Sequence, residues 1–408
     1  MSAIFQTLPE DVVAARDGII RFAEQEIIPR HQRHQSLFEN PRALYREDGR
    51  FSDALNEVIA EVRQASAQAG FYQMCVPDSL GGGGLGHLAY YVAWQALFHR
   101  CGPQNWLMLY ALAHWAFGPS RLLTQVTEEA QKAFMPGLMS GTHSMCFGLS
   151  EPNAGSDASM IKTRAVRDGN GWKISGRKIW TSNAPVADYC VVFAVTDPDI
   201  KRGGISAFMV PTDSEGFERQ RVIRMFGHIG GDEAEIALDD VRVEDWQLVG
   251  ELNQGFTAAL YGVSLGRIYN SARAVGYGRW AIEKALDYAA TREAFGKSIS
   301  EYQGVTFPLA ESATELHAAH LMGLNVAGLL DAGETAVKEL AMTKGYSAQV
   351  GFRALDRAIQ THGAMGFTNE LGLTEAWHSL RLINVADGST EILNRTIAQR
   401  LLKGDVEV

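Results

Sequence analysis

One carboxylate in this sequence has the setting of a general base. Asp387 precedes Gly388, and Ser389 and Thr390 follow where an N-cap would start a final helix. A carboxylate on a glycine-hinged turn among apolar neighbours can have a raised pKa and accept a proton near neutral pH. Read from this segment alone, the alternative is an ordinary solvated turn aspartate.

Two segments near the middle of the chain have the composition of a ligand site. Residues 145–157 (MCFGLSEPNAGSD) combine small residues, hydroxyls and glycines, so backbone N–H groups there can approach a ligand closely. In residues 178–183 (KIWTSN), Trp180 offers a flat apolar face and Ser182 lies on the same side of a strand. Trp180 and Ser182 together suit stacking against a planar ring with one hydrogen bond. The alternative for Trp180 is an ordinary core tryptophan, and the alternative for residues 145–157 is a structural connection.

Two further segments give weaker indications. Residues 360–367 (QTHGAMGF) form a glycine-bearing break between helices. Residues 291–304 (TREAFGKSISEYQG) follow a long helix and are either a solvated helix turn or a set of ligand contacts. As ligand contacts they would supply a hydrogen-bond donor to phosphate, an aromatic face and polar reach: Arg292, Phe295, Lys297 and Gln303.

Three other patterns match known motifs but lack their context. The glycines in residues 81–86 fit a dinucleotide fingerprint, yet a helical zone rather than a strand precedes them. Residues 262–266 (GVSLG) fit a nucleophile elbow, yet they lie within a helical segment. His317 and His320 share a helix face, but no Glu-x-x-His pairs accompany them, so we expect no metal site.

Composition excludes several classes of protein. The chain has 408 residues, 46% of them hydrophobic, which is ordinary for a globular protein of about two or three domains. A net charge of −10 argues against a nucleic-acid or membrane-surface role. No apolar run approaches the roughly 18 residues that a transmembrane helix needs. We also expect neither a signal peptide nor a C-terminal lipidation or sorting signal. The four cysteines form no CxxC pair, which predicts reduced thiols in a cytoplasmic protein.

Three zones must position the candidate residues. The first, to about residue 140, predicts helices over 12–25, 54–69, 90–98 and 128–135, with Pro136 ending the last. The second predicts a small antiparallel β-domain with a hairpin turn in 167–172 and strands over 171–183, 188–197, 204–213 and 235–243. The third predicts a four-helix bundle from helices over 255–291, 300–332, 336–363 and 391–402.

Taken in order, the segments FGLSEPNAGSD, KIWTSN, REAFGK, QTHGAMGF and ADGSTEI closely resemble the acyl-CoA dehydrogenase family over essentially the whole chain. The resemblance implies an α+β fold with an N-terminal helical domain (1–142), a middle antiparallel β-domain (143–250) and a C-terminal four-helix bundle (251–408). It implies FAD as the cofactor and usually a homotetramer. The implied reaction removes the α-proton of an acyl-CoA thioester and passes the β-hydrogen as hydride to flavin N5, with an electron-transfer flavoprotein as the acceptor.

The resemblance also implies roles for individual positions. Asp387 is the implied base, and CoA-substrate contacts fall on Ser156, Arg267 and Gly388. Three of the implied FAD contacts, Arg292, Phe295 and Gln303, would reach the FAD of a neighbouring subunit. The full implied FAD set is Phe147, Leu149, Ser150, Trp180, Ser182, Arg292, Phe295, Gln303, Gln360, Gly363, Ser389 and Glu391.

The base position departs from the commoner pattern of the family. Most members carry glutamate in a Glu-Gly-Thr sequence, whereas this chain has Asp387 before Gly388 and Ser389. Aspartate is one methylene shorter, so its oxygens retract by roughly 1–1.5 Å and the substrate or the loop must shift to compensate. A second base position known in the family matches Gly266, which has no side chain to serve. We therefore predict that Asp387 is the base.

Three alternative functions share this fold. A nitroalkane-oxidase-like enzyme also uses an aspartate base and needs no CoA, but Arg267 and Ser156 favour a CoA substrate. An enoyl-CoA reductase would run the same chemistry in reverse. A catalytically silent FAD-binding scaffold is the third, and the presence of Asp387 argues against it.

Overall fold

The computed structural model describes residues 8–200, 204–225 and 233–407. They form two compact units that interleave along the chain. The first unit contains the described residues of Met1–Pro29, Leu85–Met108 and Gly266–Val408. The second contains the described residues of Arg30–Gly84 and Leu109–Leu265. The helices of the N-terminal zone are therefore divided between the two units.

Most of the described chain is helical. The α-helices are α1 (Glu10–Phe22), α2 (Ile28–Arg33), α3 (Gln35–Phe38), α4 (Pro41–Leu44), α5 (Asp53–Gln68), α6 (Gly86–Cys101), α7 (Glu128–Met139), α8 (Gly255–Thr291), α9 (Gln303–Asp331), α10 (Val337–His362), α11 (Leu373–Ile383) and α12 (Thr390–Leu402). A π-helical turn, Ala23–Ile27, connects α1 to α2. None of the described helices is long and apolar enough to cross a membrane.

Two features of the helices differ from the sequence predictions. Pro136 does not end α7 but lies inside it, in a helix whose start is capped by Thr127, since the Thr127 hydroxyl accepts a hydrogen bond from Ala130 N–H at 3.1 Å. Helix α11 was not predicted, although Leu373, Ala376 and Leu380 are buried at helical spacing. The bundle zone therefore contains a fifth helix, which ends shortly before Asp387.

The first unit packs its long helices around small residues. Helix α10 contacts α9, α11 and α12, and α6 contacts α1 and α9. A buried apolar cluster joins α8, α9 and α10 through Val275, Ile282, Leu316, Ala319, Val350 and Ala354. Gly276 of α8 lies against α6, and a Cβ atom there would stand 2.6 Å from Phe98 Cβ and 2.7 Å from the Gln95 carbonyl oxygen.

The second unit is built on an eight-stranded sheet. Its strands are β1 (Met145–Gly148), β2 (Arg164–Asp168), β3 (Gly171–Ser182), β4 (Tyr189–Val195), β5 (Ile205–Pro211), β6 (Phe217–Ile223), β7 (Glu233–Glu244) and β8 (Leu248–Val249). The order is β6-β7-β3-β2-β4-β5-β8, with β1 also paired to β4. The sheet is predominantly antiparallel, as predicted, but β1 and β2 each pair with β4 in parallel.

Strand β4 is buried on both faces of this sheet. Val191 and Phe193 belong to the apolar cluster on one face, and Cys190, Val192 and Ala194 belong to the cluster on the other. A strand covered on both sides has no polar face, which explains its continuous apolar sequence.

Two hairpins use residues with positive φ. In the first, Asp168 pairs with Gly171 across a two-residue turn in which Gly169 has φ +60°, which confirms the predicted turn. The second joins β9 (Glu293–Ala294) to β10 (Lys297–Ser298) through Phe295 and Gly296, with φ +53° and +84°. The segment after α8 is therefore a β-hairpin rather than a helix turn.

The structure also gives the context of the motif-like patterns. Residues 262–266 lie within α8, and a short 3₁₀ turn, Asp78–Leu80, precedes the glycines of 81–86. Neither has the strand-to-helix setting that its motif requires. His317 and His320 lie on α9, and the described part of the chain contains no group of three His, Cys, Asp or Glu residues that could hold a metal ion.

We expect Gly276→Ala to destabilise the first unit, because its new methyl group would overlap α6. Overpacking of this kind costs about 1–3 kcal/mol, which urea unfolding would report as a lower midpoint. Gly304→Ala in α9 is the control, because nothing lies within 4 Å of a Cβ atom there. Equal midpoints for the two variants would contradict the close approach of α6 and α8.

Candidate active site

The predicted base lies in a strained turn between two helices. Helix α11 ends at Ile383 and α12 begins at Thr390, with the Ser389 hydroxyl accepting the Ile392 N–H at 3.4 Å as the N-cap. Asp387 has φ +53° and Gly388 has φ +98°. Glycine adopts such angles freely, and aspartate is among the few other residues that tolerate them. The sequence Asp-Gly-Ser is therefore suited to this turn and to the helix start that follows.

Three side chains from the long helices hold this turn. Asn270 Nδ2 of α8 donates to Asp387 Oδ2 at 2.7 Å, and Arg267 Nε of α8 donates to the Asp387 carbonyl oxygen at 3.2 Å. Lys344 Nζ of α10 donates to the Gly388 carbonyl oxygen at 2.8 Å. Both carbonyl groups of the strained turn therefore accept hydrogen bonds from cationic side chains.

Burial controls the protonation of this cluster. It raises the pKa of Asp387 to about 6, against the opposing effects of the Lys344 and Arg267 charges and the Asn270 hydrogen bond. Burial also lowers the pKa of Lys344 to about 8 and lowers that of Arg267. A carboxylate with a pKa of about 6 is ionised at neutral pH yet is more basic than an exposed aspartate, as a general base requires.

The structure also places the substrate positions predicted near the base. A Cβ atom on Gly388 would lie 3.2 Å from Arg267 Nη2, so these two residues are neighbours. Gly266 precedes Arg267 in α8, is buried and has no side chain, so it offers no second base. Ser156 lies in the second unit, in the exposed loop before β2.

The second unit brings together the residues predicted to line the flavin ring. Strand β1 carries Phe147, and Leu149 and Ser150 follow it directly. The Ile179 N–H donates to the Ser150 carbonyl oxygen at 3.0 Å, which joins this segment to the end of β3. Trp180 and Ser182 therefore lie on a strand that is hydrogen-bonded to the segment after β1.

Trp180 has an unusual backbone and an exposed ring. The register of β3 against β7 shifts between Lys178 and Thr181, so a β-bulge occupies this point. Within it Trp180 has φ +58° and a residue exposure of 54%. A positive φ is rare for a bulky residue and marks a functional constraint more often than chance. Bulges are common beside active sites, where they re-aim a side chain.

A buried ion pair connects the two predicted flavin segments. Lys178 is completely buried, and its Nζ lies 2.8 Å from Glu151 Oε1 and 3.2 Å from the Leu149 carbonyl oxygen. The two Glu151 oxygens also accept the N–H groups of Lys162 and Thr163 at 2.6 and 2.9 Å. Burial lowers the pKa of Lys178 to about 8, although Glu151 opposes the shift. The pair thus fastens the segment after β1 onto the bulged strand.

The remaining predicted contacts are distributed over the surface of the first unit. Three of them lie at the β9–β10 hairpin and the start of α9: Arg292, Phe295 and Gln303. Within the described part of the chain, these three make no hydrogen bond to the Asp387 turn. Gln360 is exposed near the end of α10, and Gly363 follows it with φ +59°. Glu391 is exposed in the first turn of α12, where its own backbone N–H and Ser389 lower the pKa of its carboxyl.

The residues present fit a flavin. An aromatic side chain normally buries most of its surface, so a half-exposed tryptophan held in a strained bulge is a ready stacking face for a planar ring. Ser150 and Ser182 are partly exposed beside it and can each offer a hydroxyl. Phe147 is also partly exposed, with its ring against Trp115 and Phe193 at 5.1 and 4.8 Å. These side chains would hold the ring of FAD.

Four residues of these clusters were not predicted from the sequence: Asn270, Lys344, Lys178 and Glu151. The last two lie inside the predicted segments, but only folding shows that they pair. Lys344 did carry a signal. It falls on the buried stripe of α10, with Leu340, Ala348 and Gly351 at helical spacing, where a charged residue is unexpected.

We expect Lys178→Met to lower the thermal unfolding midpoint by several degrees, because it leaves the carboxylate of Glu151 without its cation. Breaking a buried pair in this way costs about 3–5 kcal/mol. Lys173→Met is the matched control on the same strand, because Lys173 is 46% exposed and its ion pair with Asp168 at 3.7 Å should contribute little. Equal midpoints for the two variants would contradict a structural role for the buried pair.

Comparisons with known proteins agree with this architecture. Three acyl-CoA dehydrogenase family models match the chain: the N-terminal domain over residues 9–142, the middle domain over 146–241 and the C-terminal domain over 253–402. The probable acyl-CoA dehydrogenase YngJ of Bacillus subtilis is 34% identical and covers 97% of this chain and 99% of its own length.

Two further relatives extend the comparison. The CarC subunit of the caffeyl-CoA reductase-Etf complex of Acetobacterium woodii is 33% identical, covering 85% of this chain and 91% of its own. The crystal structure of glutaryl-CoA dehydrogenase from Mycobacterium smegmatis superposes with a TM-score of 0.82 at 27% identity, covering 98% of this chain and 96% of its own. The chain belongs to the acyl-CoA dehydrogenase family and is an FAD-dependent oxidoreductase that acts on the CH–CH group of acyl-CoA thioesters.

Proposed function

We propose that Asp387 is the base that exchanges the α-proton of the acyl-CoA substrate. The observation that carries this proposal is the setting of its carboxylate. Asn270 binds Oδ2 at 2.7 Å, and within the described residues no hydrogen bond reaches Oδ1. One oxygen is therefore held in place, and the other is available to accept a proton.

The protonation behaviour of Asp387 supports the same role. Its pKa is raised to about 6 by burial, so the group is ionised at neutral pH and close to the range where a general base works best. Bound FAD supplies the acceptor for the hydride that leaves the β-carbon. Asp387 then holds the α-proton on Oδ1 while Asn270 stays bound to Oδ2.

Arg267 and Gly388 are proposed contacts for the substrate beside the base. Arg267 uses Nε to hold the Asp387 carbonyl oxygen, and its terminal N–H groups make no hydrogen bond within the described residues, so they can bind a substrate group. Gly388 has no side chain, so the turn can be approached closely. We propose Ser156, from the loop before β2, as a further contact to the CoA portion.

We propose the FAD contacts in three groups. Phe147, Leu149, Ser150, Trp180 and Ser182 would line the ring, as their exposure and the bulge support. The second group consists of exposed residues at the β9–β10 hairpin and the start of α9: Arg292, Phe295 and Gln303. They would contact the pyrophosphate and adenosine of the FAD bound by a neighbouring subunit. The third group lies at the C-terminal end of α10 and at the start of α12: Gln360, Gly363, Ser389 and Glu391.

The direction of the reaction has two candidates. In dehydrogenation Asp387 takes the α-proton, and in enoyl-CoA reduction it returns one. The relative from Acetobacterium woodii is named a reductase and a subunit of an Etf complex, whereas the relative from Bacillus subtilis is named a dehydrogenase. We propose dehydrogenation with an electron-transfer flavoprotein as the acceptor, and reduction as the second candidate.

Three expectations from the sequence stay predictions: the homotetramer, the cytoplasmic location and the domain boundaries at 1–142, 143–250 and 251–408. The three family matches, over 9–142, 146–241 and 253–402, support these boundaries.

We expect Asp387→Asn to retain FAD but to lose about 10²–10⁴-fold in kcat/KM, the usual contribution of a general base. Anaerobic mixing with butyryl-CoA and with branched thioesters such as isobutyryl-CoA measures this as loss of flavin bleaching. Asp387→Glu is the control, because it keeps a carboxylate on the same turn. Unimpaired bleaching in Asp387→Asn with any thioester that bleaches the wild type would refute Asp387 as the base.

We expect the pH dependence to distinguish the two directions. Because the pKa of Asp387 is raised to about 6, kcat/KM for dehydrogenation should rise as pH increases through about 6, where the carboxylate becomes ionised. For reduction the acid form must donate, so kcat/KM should fall through the same value. Initial rates in both directions from about pH 4.5 to 8.5 test this. A kcat/KM that is already nearly constant from about pH 5 upward, as the ordinary aspartate pKa of about 3.9 predicts, would contradict the buried setting.

A further inference from the structure

Lys344 occupies a position where a lysine is costly. It lies on the buried stripe of α10 and is 1% exposed. Removing an ammonium group from water is unfavourable unless hydrogen bonds and opposite charge compensate. An apolar side chain of similar length would fill the same space without that cost. A buried lysine at this point therefore indicates that its charge is used.

The ammonium group is directed at the turn that carries Asp387. Lys344 Nζ donates to the Gly388 carbonyl oxygen at 2.8 Å, while Arg267 Nε holds the carbonyl oxygen of the preceding residue at 3.2 Å. The two residues of the turn have φ +53° and +98°, and a left-handed angle is strained at a non-glycine residue such as Asp387. Such a conformation persists only where its surroundings hold it, and these hydrogen bonds come from two different helices.

The shortness of the aspartate makes the position of this turn important. The Asp387 oxygens reach less far from the backbone than those of a glutamate by roughly 1–1.5 Å. Their position relative to a substrate is therefore decided mainly by the backbone of the turn. Lys344 and Arg267 bind that backbone directly, and Asn270 binds the carboxylate itself.

We propose that Lys344 is a positioning residue for Asp387: its buried ammonium group anchors the Gly388 carbonyl of the strained turn and places a positive charge beside the carboxylate. This inference rests on the proposed function of Asp387 as the base. The charged groups that face the carboxylate are Lys344 from α10 and Arg267 from α8, and Asn270 adds a neutral donor from α8. Removing the Lys344 charge disfavours the ionised carboxylate, since only the Arg267 charge and the Asn270 hydrogen bond then oppose the effect of burial.

Three variants separate the anchor from the charge. Lys344→Gln keeps a donor for the Gly388 carbonyl but has no charge, Lys344→Met lacks both, and Lys344→Arg keeps both. An opposite charge nearby lowers an aspartate pKa by about 1–3 units, so the pH at which kcat/KM changes should move upward by about one unit or more in the Gln and Met variants. It should stay near the wild-type value in the Arg variant.

Lys338→Met is the matched control. Lys338 is also a buried lysine of α10, but its Nζ pairs with Asp405 at 2.6 Å rather than with the Asp387 turn. Its loss should leave the pH profile of kcat/KM unchanged even if the protein becomes less stable. A structural defect alone lowers the amount of active enzyme without moving the pH of the transition.

The outcomes distinguish this inference from the function on which it rests. An unchanged transition in both Lys344→Gln and Lys344→Met, with Asp387→Asn inactive, would overturn the role of Lys344 and leave the base assignment intact. Activity retained in Asp387→Asn would instead remove the base assignment. If Lys344→Met does not fold, Lys344→Gln alone decides, because it retains the hydrogen-bond donor.

Discussion

The candidate site depends on keeping the Asp387 carboxylate partly out of water while it still ionises at neutral pH. Burial alone would keep Asp387 protonated, and free solvation would leave it a weak base. The structure lies between these limits, because cations on α8 and α10 offset part of the burial and Asn270 holds one oxygen. The same groups hold the left-handed turn, so the geometry and the protonation of the base have a common origin.

The second unit also contains buried charges that need compensation, in this case the Lys178–Glu151 ion pair. Lys178 and Glu151 are charges inside a sheet, and each compensates the desolvation of the other. Their pairing connects the segment after β1 to the bulged end of β3, where Trp180 adopts its positive φ. In both units a buried lysine donates to a backbone carbonyl. Lys344 binds that of Gly388 in the left-handed turn, and Lys178, two residues before the bulged Trp180, binds that of Leu149. Costly charges lie where the backbone departs from its regular conformations, which is where a functional site most needs a defined shape.

Much of the fold was predictable because long periodic segments and β-branched runs specify local structure. The helices that contain Gly276 and Lys344, and the strand that ends at Ser182, were predicted to within a few residues. Helix α11 was not predicted, although its apolar residues have regular helical spacing. The prediction that α7 ends at Pro136 was wrong, because Pro136 lies inside that helix. The candidate site was predicted through the ordered motifs and their resemblance to a family, but the residues around the base were not. Asn270 and Lys344 approach Asp387 from positions 117 and 43 residues away in sequence, and local patterns carry no information about such contacts.

The sequence by itself determined the family, the α+β order and the identity of the turn that carries Asp387. This was possible because each motif is a short run of consecutive residues whose types indicate its local structure and chemistry. Only the tertiary structure decided how basic that carboxylate is, which of its oxygens is held and what holds the turn. A pKa and a hydrogen-bond partner depend on which helices pack together, and the packing of α8 and α10 against one turn is a property of the folded chain.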